Sequence, residues 1–136
     1  MQRSLLLLCA TALLIAVPLI ADAQPAKPAL YNADQATAGA AVYSQACSAC
    51  HGAQMEGVAA PALKGSAFGE MAAAQGLTVQ TLLDVIANTM PQSDPGSLKP
   101  EDNNAVTAYI LQQNGYPAGS TALAKGAAGL DAKVTP

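Results

Sequence analysis

The chain has 136 residues, a formal net charge of −3 and no basic run, a balance that argues against nucleic acid as a partner. Although 51% of the residues count as hydrophobic, the aromatic inventory is one Phe, four Tyr and no Trp. Much of the apolar share is alanine, which buries little area per residue, so the side chains alone make a thin core and something else is expected to fill the interior.

The N-terminus reads MQRSLLLLCATALLIAVPLIADAQ. Arg3 precedes an apolar run from Leu5 to Ile20, followed by Ala21-Asp22-Ala23, the layout of a secretory signal peptide. The run is about 16 residues, short of the roughly 20 that a spanning helix needs. An uncleaved anchor is the alternative that the sequence leaves open. Cys9 lies inside this run without the small residues that precede a lipidated cysteine, so it reads as part of the leader. A signal peptide over residues 1–23 implies export to the periplasm, no stable membrane insertion after cleavage, and a chain starting near Gln24. About 113 residues then remain, enough for one small domain. The expected organisation is a linker over 24–33, a folded domain over 34–119 and a loosely ordered tail over 120–136.

Three main helices are read from periodicity. The first runs from Gln35 to Cys47, with Asp34 placed to cap it and an apolar face of Gly39, Val42, Tyr43 and Ala46. The stretch ACSACHG, residues 46–52, comes next. It leads into a loop rich in Gly, Ala and Pro with room for one short helical turn. Loops of this length in compact domains tend to be functional or to wrap something. The second helix covers Thr78 to Thr89, striped by Val79, Leu82, Leu83 and Ile86. Met90 comes after it, directly before Pro91, which disfavours helical geometry at the preceding residue. The third helix covers Pro100 to Gln113, with Pro100 at its first position and Glu101 and Asp102 beside it. Lys99 stands where a Ser or Thr cap is expected. The stripe is Val106, Tyr109, Ile110 and Gln113, and Asn114-Gly115 supplies the stop. No segment keeps a period of two, so the fold class is all-α.

Beyond the leader, Cys47, Cys50 and His51 are the only cysteines and the only histidine. A disulfide is permitted outside the cytoplasm, but it closes a tiny loop and leaves His51 without a role. A thioredoxin-like pair needs a strand–helix–strand setting. A structural zinc site needs four ligands, and carboxylates would have to complete it. Cys-x-x-Cys-His is also the attachment pattern of c-type haem. In that chemistry two thiols add across the two porphyrin vinyl groups, and the adjacent imidazole is delivered to the iron. The occupant of the iron's other axial position then decides the function, since methionine suits electron transfer and an open position suits peroxide or gas chemistry. Met55 lies four residues past His51, too near to reach the opposite face. Met71 sits in a helical-looking patch and reads as packing. Met90 has enough intervening chain to pass around a ring edge; its alternative reading is a core residue at a helix end.

The stretch GAAVYSQACSACHG, together with the chain onward to about Gly119, resembles a class I c-type cytochrome, most closely the small bacterial periplasmic cytochromes that accept electrons from dehydrogenases. The resemblance implies a small cytochrome c fold, three main helices with loops wrapped around one covalent haem c. In that family the sixth ligand sits in a Met-Pro loop, which matches Met90. The first and last helices cross at a glycine and an aromatic, matched by Gly39 and Tyr109, with Tyr43 one turn after Gly39. A proline carbonyl receives the second ring nitrogen of the histidine, matched by Pro61, and a leucine packs on the ring, matched by Leu63.

Expected sites are therefore Cys47, Cys50, Pro61 and Leu63 for the haem, with His51 and Met90 on its iron. A slot lined by Leu63, Phe68, Leu82, Ile86 and Met90 is expected between the helices. The expected function is one-electron transfer without catalysis. Partners would be a dehydrogenase donor and an oxidase or cytochrome acceptor, met at the uncharged edge from Cys47 to Ala53. The alternative is a haem protein with an open sixth site acting on peroxide or a small gas.

Overall fold

The computed structural model describes residues 26–135; the leader expected over 1–23, including Cys9, lies outside them. Among the described residues there are five helices: α1 (Ala33–Ala46), α2 (Ser48–His51), α3 (Gly65–Gln75), α4 (Val79–Thr89) and α5 (Pro100–Gln113). The only β-type pairing among them is an isolated bridge between Thr78 and Lys133. The all-α expectation holds.

Helix α1 starts two residues earlier than its sequence pattern implies. Its cap is Asn32, not Asp34: Asn32 is extended, and its side chain accepts the Gln35 N–H at 2.9 Å. Asp34 lies inside the first turn, where its charge favours the positive end of the helix dipole. Replacing Asn32 by alanine is expected to cost about 1 kcal/mol, read as a lowered denaturant midpoint at unchanged slope. Helix α4 is opened by a reciprocal pair, in which the Thr78 side chain accepts from Thr81 N–H and the Thr81 hydroxyl accepts from Thr78 N–H. It stops where Pro91 demands, with Met90 extended at φ −118° and ψ 151°. Helix α5 begins at Pro100 with no side-chain cap from Lys99.

Helix α3 departs from the expectation of a single turn within a loop, being 11 residues long. Alanine is the strongest helix former, and Ala67, Ala72, Ala73 and Ala74 carry the segment without an amphipathic stripe to announce it. Phe68, Gly69 and Ala72 form its buried face, and Gly76 ends it in the left-handed conformation.

Helices α1 and α5 cross at Gly39. A side chain there would overlap the Ala105 carbonyl oxygen and crowd Tyr109, so the missing Cβ is what lets the backbones meet. The Tyr43 and Tyr109 rings meet edge to face beside the crossing, 5.7 Å between centroids.

Both flanking segments differ from expectation. Within the expected linker, Tyr31 is fully buried, and Lys27 Nζ donates to the Asn114 carbonyl at 2.8 Å. Within the expected loose tail, Leu123, Leu130 and Val134 are buried in the main apolar cluster. The tail also satisfies backbone donors that a helix start leaves unpaired. Leu130 and Ala132 carbonyls accept the Gln80 and Val79 N–H groups, and Val134 N–H donates to Leu77. The Gln35 side chain both donates to and accepts from the Leu123 backbone.

Candidate functional site

Helix α1 runs directly into the Cys-x-x-Cys-His stretch. Cys47 N–H bonds the Tyr43 carbonyl at 2.9 Å, and the Cys47 carbonyl then accepts from Cys50 N–H at 3.1 Å and His51 N–H at 3.0 Å. The motif is thus wound into one helical turn, α2. Residues three and four apart share a helix face, so Cys50 and His51 both lie on the side of Cys47. The two cysteines are unpaired, Cys47 partly buried and Cys50 exposed. Burial pushes the Cys47 thiol up from its ordinary range.

The chain after His51 folds back onto this turn. Gly52 makes the reversal at φ 89°, a conformation that only glycine adopts readily. The Cys50 carbonyl accepts from Val58, Ala59 and Ala60 N–H, and the His51 carbonyl accepts from Gly57 N–H at 2.7 Å. Met55 is buried inside the loop, where its carbonyl accepts Leu63 N–H at 2.9 Å.

The imidazole is oriented by the same loop, since His51 Nδ1 lies 2.7 Å from the Pro61 carbonyl oxygen. A carbonyl only accepts, so Nδ1 is the donor in this bond, and Nε2 is the ring nitrogen left for a ligand. A donor bond of this kind fixes the ring and raises its basicity as a ligand.

Leu63 is partly buried against the main apolar cluster, and its carbonyl accepts from Asn114 Nδ2 at 2.8 Å. Met90 is reached from α4 and not from the loop around the motif. It is partly buried at the end of α4, one turn beyond buried Ile86, and its N–H bonds the Ile86 carbonyl at 3.2 Å. Phe68, Leu82 and Ile86 share the cluster that Leu63 packs against. A cavity of about 360 Å³ opens elsewhere, lined by Lys64, Gly65, Ser66, Gln113 and Asn114; it is not the slot expected from the sequence.

The donor set discriminates among the chemistries open to Cys47, Cys50 and His51. The cysteines form no disulfide, and the surroundings are helical. Among the described residues no group of three or more His, Cys, Asp or Glu side chains gathers as a metal site requires. Two unpaired thiols on one turn, next to an imidazole whose inner nitrogen is held by a carbonyl, fit a haem c.

Sequence reasoning missed the hydroxyl of Tyr43, which donates to the Gly52 carbonyl at 2.7 Å; a tyrosine at a helix crossing gives no sign of it. Burial raises this phenol to about 12 from 10.0. Between those values the folded protein holds a proton that the unfolded chain has released, so stability is full below pH 10 and is lost as pH climbs toward 12. The denaturant midpoint of the wild type is expected to fall through this window more steeply than that of Tyr43→Phe.

The helical frame, the crossing at Gly39 and the wound Cys-x-x-Cys-His turn define a class I c-type cytochrome. The chain belongs to the family described as cytochrome c oxidase, cbb3-type, subunit III, whose model matches residues 34–110. A cytochrome c domain implies haem c and electron transfer. No curated protein matches the chain significantly. Two solved structures are similar to it. The sulfane dehydrogenase SoxCD from Paracoccus pantotrophus is 25% identical over 68% of this chain and 46% of its own, with a TM-score of 0.49. The thiosulfate dehydrogenase TsdBA from Marichromatium purpuratum, in its as-isolated form, is 34% identical over 62% of this chain and 20% of its own, with a TM-score of 0.45. The chain therefore spans less than half the length of either. Among the described residues no helix is long and apolar enough to cross a membrane.

Proposed function

We propose that this protein is a periplasmic one-electron carrier with a single covalent haem c and no catalytic activity of its own. Cys47 and Cys50 would hold the group through thioethers, His51 Nε2 and Met90 Sδ would ligate its iron, and Leu63 would pack against it. When bound, the haem supplies a reversible one-electron couple. The chain's part is to keep both ligands in place and to exclude a substrate from the iron. Pro61 holds the proton of Nδ1 and so keeps the His51 ring aimed. A neutral imidazole and a neutral thioether change little between oxidation states, which suits electron transfer.

The observation that supports this reading most directly is the 2.7 Å bond from His51 to the Pro61 carbonyl, because it leaves a ligand-competent nitrogen beside two free thiols. A dehydrogenase donor and an oxidase or larger cytochrome acceptor are the proposed partners. The family's description as an oxidase subunit supports a respiratory setting.

The sixth ligand is tested by visible spectroscopy. The oxidised wild type is expected to show the weak red sulfur-to-iron band, and Met90→Ala to lose it. Carbon monoxide binding by the reduced wild type would instead favour an open sixth site. Against that alternative, the chain has no second histidine, and Arg3, its one arginine, lies in the expected leader, so the domain lacks both side chains usually placed to cleave peroxide.

A further inference from the structure

One residue touches the Cys-x-x-Cys-His stretch at both ends. The Tyr43 carbonyl accepts Cys47 N–H, the first residue of the motif, and the Tyr43 hydroxyl donates to Gly52, the first residue after it. The second bond lies in the interior, where Tyr43 is 2% exposed. Water cannot easily replace a buried donor, so removing the hydroxyl would leave the carbonyl with only its longer bond from Met55 N–H, at 3.2 Å. The ring is itself fixed, being set into the α1–α5 crossing against Tyr109. The hydroxyl is therefore a rigid post, and what it holds is the loop that leaves His51.

Beyond the α2 bond from His51 N–H to the Cys47 carbonyl, that loop carries the other restraints on the imidazole. Gly57 N–H holds the His51 carbonyl, and Pro61 holds the ring. Both come from the segment that departs at Gly52, whose left-handed turn sets the direction of the whole return. Ligand orientation is controlled by such outer contacts as much as by the ligand itself.

We propose that Tyr43 is a positioning residue for His51: its hydroxyl pins the Gly52 peptide and so fixes the orientation at which the imidazole meets the iron. The inference rests on the reading that His51 ligates a haem. It separates two roles of one side chain. The ring serves the helix crossing, which phenylalanine would serve equally, and the hydroxyl serves the ligand. Burial keeps the phenol protonated to about 12, so the donor persists across the physiological range.

The test compares holoprotein of the wild type, Tyr43→Phe and, as a control on the same ring pair, Tyr109→Phe. Tyr43→Phe should take up haem normally. Its His51 ring resonances in the oxidised state should shift, its reduction potential should move, and amides from Cys50 to Gly57 should exchange roughly 2- to 10-fold faster. Tyr109→Phe should leave all three readouts at wild-type values.

Wild-type His51 resonances and potential in Tyr43→Phe would overturn the proposal, even if overall stability fell. Should that variant not accumulate, the wild type alone still decides. A slowly exchanging Tyr43 hydroxyl proton is expected by NMR, and a freely exchanging one would contradict the clamp. A wild type without covalent haem would overturn the underlying reading as well, and would be seen before any variant was made.

Discussion

Ending the chain at Gly119 is expected to leave it unfolded or only partly structured at room temperature. The lost segment removes Leu123, Leu130 and Val134, exposed by 1%, 4% and 1% respectively. Fully burying an aliphatic side chain of this size contributes about 1.5 to 3 kcal/mol, so the three together contribute roughly 5 kcal/mol or more. The truncation also uncovers the start of α4, whose Val79 and Gln80 N–H groups lose their acceptors on Ala132 and Leu130, and it takes Lys133 from the Tyr116 hydroxyl. Small domains are stable by only about 5 to 15 kcal/mol in total. Circular dichroism during heating should show a weak, broad transition in place of a cooperative one. A truncated protein that melts cooperatively within a few degrees of the full chain would show that the tail contributes little.

The second large effect is expected at the helix crossing. Gly39→Val places a branched side chain where even a Cβ overlaps the Ala105 carbonyl oxygen. The obstacle is backbone on a helix, so it cannot swing aside as a side chain would, and α1 and α5 must separate. Overpacking a tight core costs about 1 to 3 kcal/mol, and sometimes more. Here a figure at or above about 3 kcal/mol is expected, because the same displacement also disturbs the Tyr43–Tyr109 contact. Denaturant titration of Gly39→Val against the wild type gives the difference directly. A loss below about 1 kcal/mol would mean that the crossing has slack.

The elements legible in the sequence are those with a physical signature confined to a few neighbouring residues. Helices α4 and α5 are announced by apolar stripes with Thr78 at one start and Pro100 at the other. The extended Met90 is dictated by the proline after it. The attachment turn is legible from residue chemistry alone, since nothing else in the expected exported chain uses cysteine or histidine.

The parts that are not legible depend on contacts between distant segments. The alanine-rich α3 has helical propensity but no stripe, so periodicity passes over it. Leu123, Leu130 and Val134 stand seven and four residues apart, but Gly126 and Gly129 interrupt the segment, and only the surfaces the three cover reveal why they are apolar. Tyr31 is silent in the same way, within a stretch whose prolines and alanines read as a linker. At the site, Pro61 is suggested only by a resemblance, and its carbonyl stands at hydrogen-bond distance from His51. The Tyr43 hydroxyl has no local signal, because its partner is nine residues away across a turn.

The claim on which the account depends is that Cys47 and Cys50 bind one haem covalently. The direct measurement is the mass and visible colour of the denatured protein, expressed with its leader in a host competent in cytochrome maturation. The account predicts a polypeptide beginning near Gln24 plus the mass of a single haem, still coloured after denaturation and precipitation. A colourless product with the mass of the bare polypeptide would contradict it.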